Sequence, residues 1–462
     1  MTFAAGTGAK WILLVFCIFP LLITIHEIKK NFYLRKFFNL PREVKKTKMK
    51  IKQPKLSDEN CTLIGITPNR KDVLIPDNAK HTFICGTTGS GKTVTIANFI
   101  KSIANKDYPA VIIDGKGDVG KGSILEMVKV LAPFRKKYII DLNNPNKSDS
   151  YNPFKDTSVT VVKDMLINMS DWSEEHYKLN TERYLQRVIG VLKKADMKFS
   201  FKTIIKHMAT DKFIEVSSQL LKSKQISKEE HLENVELAKI SGRIAEDAVA
   251  RFATIAESEL YPLFLGPDGV DVFQALKENA IIIFVLNPLI YPEISPAFGR
   301  LALIDCKKAV SKLFEDDRRK FFIFDEVSSY ASTSLLDLVN KSRSADVSCV
   351  LATQSLSDLD TVSDSFKEQV IENCNNYIVL RQNSAVNAEN WSNILGTRNT
   401  IDVTYQLKQD GWDTMQTGLG SARRTREFLY HPDYIKTLDV GKGIFLSKDS
   451  GYHSKVLINK PF

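Results

Sequence analysis

The run Gly86-Thr87-Thr88-Gly89-Ser90-Gly91-Lys92-Thr93 fits G-x-x-x-x-G-K-[ST] in full. Glycines let the backbone wrap a phosphate, while consecutive N–H groups and a following helix N-terminus meet its negative charge. Lys92 then reaches the β- and γ-phosphates of ATP, and the Thr93 hydroxyl is a ligand for Mg2+. The apolar run His81 to Cys85 precedes the loop, and a helical pattern holding Ile96, Phe99, Ile100 and Ile103 follows it. Strand, loop and helix in that order are the context that separates a phosphate loop from a chance Gly-rich turn.

Hydrolysis also needs a second carboxylate for the metal and a group that polarises the attacking water. Phe321-Phe322-Ile323-Phe324-Asp325-Glu326 supplies both: the apolar run reads as a buried strand, Asp325 holds Mg2+ through water, and Glu326 serves as general base. The run Val347 to Ala352 ends in Thr353-Gln354, where Gln354 either senses the γ-phosphate or is a polar strand-end residue. Arg343, eleven residues before Gln354, is either an arginine finger for a neighbouring subunit's nucleotide or a surface ion pair. Asp114-Gly115-Lys116-Gly117-Asp118 places charge beside the nucleotide, and Tyr151-Asn152-Pro153-Phe154 marks a turn.

These residues sit at the ends of short apolar runs: His81–Cys85, Ala110–Asp114, Tyr138–Leu142, Ala280–Leu286, Phe321–Asp325, Val347–Ala352 and Tyr377–Arg381. Runs apolar at most interior positions suit strands covered on both faces, as in a parallel sheet, which places its ligands at strand C-terminal ends. From Trp172 to Leu260 only helical spacing is found, as in Tyr184, Leu185, Val188, Ile189 and Leu192. The chain therefore reads as an α/β nucleotide-binding domain over 61–157 and 263–462, interrupted by an all-α domain over 158–262. Asp410 to Arg426, rich in Gly, Ser and Thr, reads as a surface loop.

Composition narrows the function classes. With 462 residues, 43% hydrophobic and 26% charged, the chain has room for more than one packed domain, and disordered, collagen-like and mucin-like readings drop out. Six cysteines form no C-x-x-C pair and seven histidines no H-E-x-x-H, so a reducing compartment is expected and no metal other than one carried by a substrate. The net charge of +10 is concentrated: Lys29 to Lys55 holds eleven basic residues against the single acid Glu43, and 11 minus 1 accounts for all of it. A neutral remainder confines any nucleic-acid site to a local patch or channel. Trp11 to Ile25, extended back to Phe3, is long enough to span a bilayer and continues into His26-Glu27-Ile28 without a small-x-small cleavage site. Residues 1–28 therefore read as an uncleaved membrane anchor and 29–60 as a basic juxtamembrane linker, either solvated or gripping anionic lipid, which sets everything after Ile25 in the cytoplasm.

Taken in order, these blocks resemble the TraG/TraD-like coupling proteins, membrane-anchored ATPases of conjugation and type IV secretion. The resemblance is carried by ICGTTGSGKT, VIIDGKGD, YNPF, FFIFDE, SRSADVSCVLATQSLSDL, ENCNNYIVLRQN and HPDYIKTLDVGKGIFL, and covers about Lys80 to Leu446. It implies a RecA-like P-loop motor with an inserted all-α domain, assembled as a homo-hexamer in the bacterial inner membrane. The resemblance further implies that ATP binds between subunits with Arg343 as the finger, and that single-stranded DNA bound to its relaxase is driven toward the secretion channel proteins. The sequence departs from that family in having one readable membrane helix rather than two and in stopping soon after its last strand. Two rivals remain open: an FtsK-type double-stranded DNA translocase, which would lack the long helical insertion, and a nucleotide-switched platform recruiting protein substrates.

Overall fold

The computed structural model describes residues 58–462 other than 170, 171, 173, 265, 364, 411 and 412. The expected anchor over 1–28 and nearly all of the basic linker over 29–60 lie outside the described residues. Among the described residues no helix is long and apolar enough to cross a membrane.

The described residues form thirteen strands: β1 (Cys61–Ile66), β2 (Asp72–Pro76), β3 (His81–Cys85), β4 (Ala110–Asp114), β5 (Lys137–Asp141), β6 (Ile281–Val285), β7 (Lys320–Asp325), β8 (Val347–Thr353), β9 (Cys374–Val379), β10 (Thr397–Asp410), β11 (Asp413–Phe428), β12 (Lys442–Ser447) and β13 (Tyr452–Ile458). Eleven of them make one sheet in the order β2-β1-β13-β12-β9-β3-β8-β7-β4-β6-β5. From β9 to β5 every neighbour is parallel. The β12, β13, β1 and β2 side is antiparallel, an extension that shows in the sequence only as short, alternating segments.

The seven strands expected from apolar runs are all present, with ends shifted by up to three residues. Their side chains alternate between two layers. Along β7, Phe321 and Ile323 join the layer under the helices Lys92–Asn105 and Ile124–Leu131, and Phe322 and Phe324 join the layer on the opposite face. Burial on both faces, worth roughly 1.5–3 kcal/mol per large side chain, is why these strands read as unbroken apolar runs.

The second layer holds the helical segment: Val159–Ile167, Glu175–Lys194, Phe201–Met208, Thr210–Lys222, Lys228–Leu237 and Arg243–Ala256. Ser158, Ser200 and Ser227 cap three of these helices by accepting the backbone N–H three residues on, each worth about 1 kcal/mol. The core of this segment, with Tyr184, Leu185, Val188 and Ile189, is continuous with the sheet face that carries Phe322 and Phe324. Leu56–Phe462 is accordingly one compact unit.

The turn Tyr151–Phe154 ties the helical segment to the sheet domain. The Asn152 side-chain amide donates to the carbonyls of Phe199 (2.9 Å) and Pro267 (2.8 Å). The Lys308 ammonium meets the Pro153 carbonyl at 2.7 Å, Asp271 at 2.7 Å and Asp305 at 2.8 Å, and the Tyr151 hydroxyl donates to Asp305 at 3.0 Å. The side chains of Tyr151, Asn152, Asp271, Asp305 and Lys308 are all buried.

The described part of Asp410 to Arg426 is strand rather than a surface loop. It forms most of β11, which pairs antiparallel with β10 from Thr397↔Phe428 to Asp410↔Asp413 as a separate two-stranded ribbon. Its Gly, Ser and Thr content is that of a loop, but Thr and alternating apolar residues also suit a ribbon exposed on both faces.

Candidate nucleotide site

The phosphate loop leaves the C-terminal end of β3, and its frame is supplied from three places distant in sequence. The Gly86 N–H donates to the Thr353 carbonyl at the end of β8 (3.2 Å), the Thr87 N–H to the Arg381 carbonyl beyond β9 (3.0 Å), and the Gly441 N–H to the Ser90 carbonyl (3.0 Å). Gly91 closes the loop at φ +115°, a left-handed conformation open to glycine, and the helix Lys92–Asn105 starts there. The Thr87 and Ser90 hydroxyl oxygens are buried and have no hydrogen-bond partner among the described residues.

Lys92 and Glu326 meet across the site. The Lys92 ammonium donates to the Gly86 carbonyl at 2.9 Å and lies 3.5 Å from a Glu326 carboxylate oxygen, with both side chains largely buried. Gln354 joins the same rim, its side-chain carbonyl oxygen accepting the Thr88 hydroxyl at 3.2 Å. Gly86, Thr87, Thr88, Gly89, Ser90, Gly91, Lys92, Thr93, Asp325, Glu326 and Gln354 thus converge on the ends of the neighbouring strands β3, β8 and β7.

Asp325 and Asp114 are direct partners in the β4–β7 register. Asp114 accepts the N–H groups of Lys116 (3.1 Å) and Gly117 (3.0 Å). The Tyr330 hydroxyl donates to the carbonyls of Ile113 (3.3 Å) and Asp325 (3.2 Å), locking the two strand ends together. Burial, with Asp114 and Glu326 as neighbouring carboxylates, pushes Asp325 up to about 7, and burial pushes Asp114 up to about 6. One Asp325 carboxylate oxygen is buried without a hydrogen-bond partner among the described residues.

That crowding of carboxylates around an orphaned oxygen fits a divalent cation. Among the described residues no group of three or more His, Cys, Asp and Glu could hold a metal by protein ligands alone, so Mg2+ here would rest on Asp325 and Thr93 and complete its shell with phosphate oxygens and water. Such an ion neutralises the charge that develops on phosphoryl oxygens. Glu326, at φ +45°, is turned out of the strand line just where Asp325 ends it.

A carboxylate held above its ordinary value stabilises the fold while it is protonated, and that stability is lost as pH rises through the raised value. Without nucleotide and in the presence of a chelator, Asp325→Asn is expected to gain melting temperature over the parent chain as pH rises from about 4 toward about 7. A difference in melting temperature that does not change with pH would contradict the burial argument.

Gly117, at φ +66°, brings the same loop against β6: a Cβ there would lie 1.4 Å from the Leu286 carbonyl oxygen. Gly117→Ala is expected to lower unfolding free energy by more than the roughly 1–2 kcal/mol of a left-handed alanine, read from a urea midpoint.

Arg343 is not brought to this site. It sits exposed on the turn Arg343–Ala345 before β8, at the opposite end of the strand from Gln354. Seven strand residues at about 3.3 Å each separate the two by roughly 20 Å. Arg381 is a residue that motif reasoning passes over: its carbonyl holds the loop, and its guanidinium Nε is buried without a hydrogen-bond partner among the described residues. Its place directly after a strand end neighbouring the phosphate loop is the signal that could have found it.

A phosphate loop on β3, paired aspartates on the neighbouring strands β4 and β7, and a mostly parallel sheet covered on both faces define a RecA-like P-loop nucleoside triphosphatase. Residues 75–258 match the family described as the central domain of helicase HerA, and residues 319–440 match the TraM recognition site of TraD and TraG. No curated protein matches the sequence. In fold the chain is similar to the bacterial conjugative coupling protein TrwB lacking its N-terminal segment (16% identity over 87% of this chain and 89% of that one, TM-score 0.62). It is likewise similar to the plasmid coupling protein TrwB bound to ADP and Mg2+ (16% identity, 87% and 89%, TM-score 0.60). VirB4 of Thermoanaerobacter pseudethanolicus is a further match in fold (13% identity, 87% and 98%, TM-score 0.54). The segment matched to TraD and TraG and the shared fold agree with the resemblance to the TraG/TraD-like coupling proteins that the ordered motifs carry.

Proposed function

We propose that this chain hydrolyses ATP with Mg2+ to drive single-stranded DNA, carried with its relaxase, into a type IV secretion or conjugation channel. The observation that carries the reading is the meeting of Lys92, Glu326 and Gln354 at one phosphate loop in a chain whose residues 319–440 match the TraM recognition site of TraD and TraG. One of the similar structures is TrwB holding ADP and Mg2+, which supports the choice of nucleotide and ion. In this reading the relaxosome and channel proteins are its partners, and the apolar run within 1–28 holds it in the bacterial inner membrane with the motor in the cytoplasm. A homo-hexamer with ATP between subunits accounts for Arg343, which lies too far from its own phosphate loop to act there and is free to reach a neighbour's.

The helices from Val159 to Ala256 favour this reading over an FtsK-type translocase. The full chain is expected to hydrolyse ATP faster with single-stranded DNA than without it, and the Lys92→Ala chain to hydrolyse none. Hydrolysis that depends on Lys92 but ignores DNA would defeat the reading and favour a platform for protein substrates.

A further inference from the structure

The strand β7 ends in Asp325, with Glu326 next to it, and begins at Lys320, beside the turn that bears Arg343. The Lys320 side chain is fully buried, and its ammonium donates to three backbone carbonyls: Asp316 at 2.6 Å, Arg318 at 2.7 Å and Ala345 at 3.0 Å. A carboxylate oxygen of Asp316 is 3.7 Å away. Burying an ammonium is costly unless its N–H groups are satisfied, and here all three fasten backbone around the Arg343 turn. The same turn is held at further points. The Lys320 N–H donates to the Asp346 carbonyl at 3.1 Å, and the Arg319 guanidinium meets the Asp346 carboxylate at 2.8 Å. Asp346, at φ +55°, closes the turn by donating its N–H to the Arg343 carbonyl at 3.1 Å. From the other side, His81 at the start of β3 accepts the Cys349 N–H on Nδ1 at 3.0 Å. Its Nε2 therefore carries the proton and donates to the Val339 carbonyl at 2.8 Å, one helical turn before Arg343. Arg343 itself is exposed, so its base is fixed while its guanidinium stands in solvent.

We propose that Lys320 is a positioning residue for hydrolysis in a neighbouring subunit: it fixes the turn from which Arg343 reaches the neighbour's nucleotide. The assignment rests on the reading of Arg343 as an arginine acting between subunits. A long side chain that crosses an interface meets its target reproducibly only if its base does not move, and a misplacement of about 1 Å can cost roughly 10²-fold in rate. An arginine engaged only in a surface ion pair needs no such foundation. On this assignment β7 serves two nucleotides, its own through Asp325 and Glu326 at one end and the neighbour's through Lys320 at the other.

The test uses full chains, alone and co-expressed in pairs, and reads steady-state ATP hydrolysis. Lys320→Met keeps the length of the side chain and removes its three donors. It is expected to lower kcat about 10²-fold and to leave the KM for ATP unchanged, since the chain's own phosphate loop is intact. Paired with Lys92→Ala, whose Arg343 turn is whole, Lys320→Met is expected to regain activity. Paired with Arg343→Ala it is expected to regain none, because neither chain then presents a working arginine. Damage passed along β7 to Asp325 and Glu326 gives the reverse pattern, recovery with Arg343→Ala and none with Lys92→Ala, and overturns the assignment. Arg319→Ala changes a partly exposed side chain and decides the matter if Lys320→Met does not fold; the same pattern is expected with a smaller loss, about fivefold, the upper range for an exposed ion pair. If Lys92→Ala and Arg343→Ala restore each other while Lys320→Met and Arg319→Ala match the parent, Lys320 positions nothing and the reading of Arg343 stands. If Lys92→Ala and Arg343→Ala stay inactive together, that reading falls and the assignment falls with it.

Discussion

Glu326→Gln is expected to lower the rate of ATP hydrolysis by about 10²–10⁴-fold, the range for a positioned general base, while nucleotide binding persists. The carboxylate is largely buried, is 3.5 Å from the Lys92 ammonium and follows directly on Asp325. A base in that place can take the proton of a water attacking the γ-phosphate, whereas an amide of the same size cannot. The substitution keeps the side-chain length and leaves the left-handed backbone at φ +45° with a residue of similar preference. Steady-state hydrolysis read beside binding of a fluorescent ATP analogue checks it. Activity within tenfold of the parent would move the base to another residue and leave Glu326 as a partner for Lys92.

Arg343→Ala is expected to reduce hydrolysis further, by about 10³–10⁵-fold, the range for an arginine finger, and the loss is expected to be repairable between chains. Arg343 lies at the N-terminal end of β8 while its own phosphate loop lies beside the C-terminal end. A guanidinium roughly 20 Å away stabilises no transition state in its own subunit. In a mixture of Arg343→Ala and Lys92→Ala chains, some interfaces would pair an intact phosphate loop with an intact arginine, and part of the activity should return. Two inactive chains that stay inactive when mixed would place Arg343 outside the reaction.

Much of the site was legible because its demands are local. A phosphate loop needs consecutive residues with particular backbone freedom, and a strand end with two carboxylates needs only an apolar run followed by acids, so both survive as spellings in the chain. The seven parallel strands were legible for a related reason: burial on both faces removes polar residues from whole segments. The antiparallel strands β1, β2 and β13, and the ribbon of β10 and β11, were not legible, since strands with an exposed face carry residues that loops also use. Asp410 to Arg426 was misread for that reason.

By itself, then, the sequence determined a Gly-rich loop between a strand and a helix, two carboxylates closing a buried strand and a run of helices between two groups of strands. Tertiary structure decided the rest: that Asp114 lies beside Asp325 and raises its proton affinity, that Lys92 reaches Glu326, and that carbonyls of Thr353 and Arg381 hold the loop. It also decided that Arg343 is turned away from its own site and that the buried Lys320 ammonium holds the turn that bears it. Each of these depends on strand order and on contacts between residues far apart in the chain. Strand order is set by how two hydrophobic layers close over a sheet, and no short stretch of sequence records that.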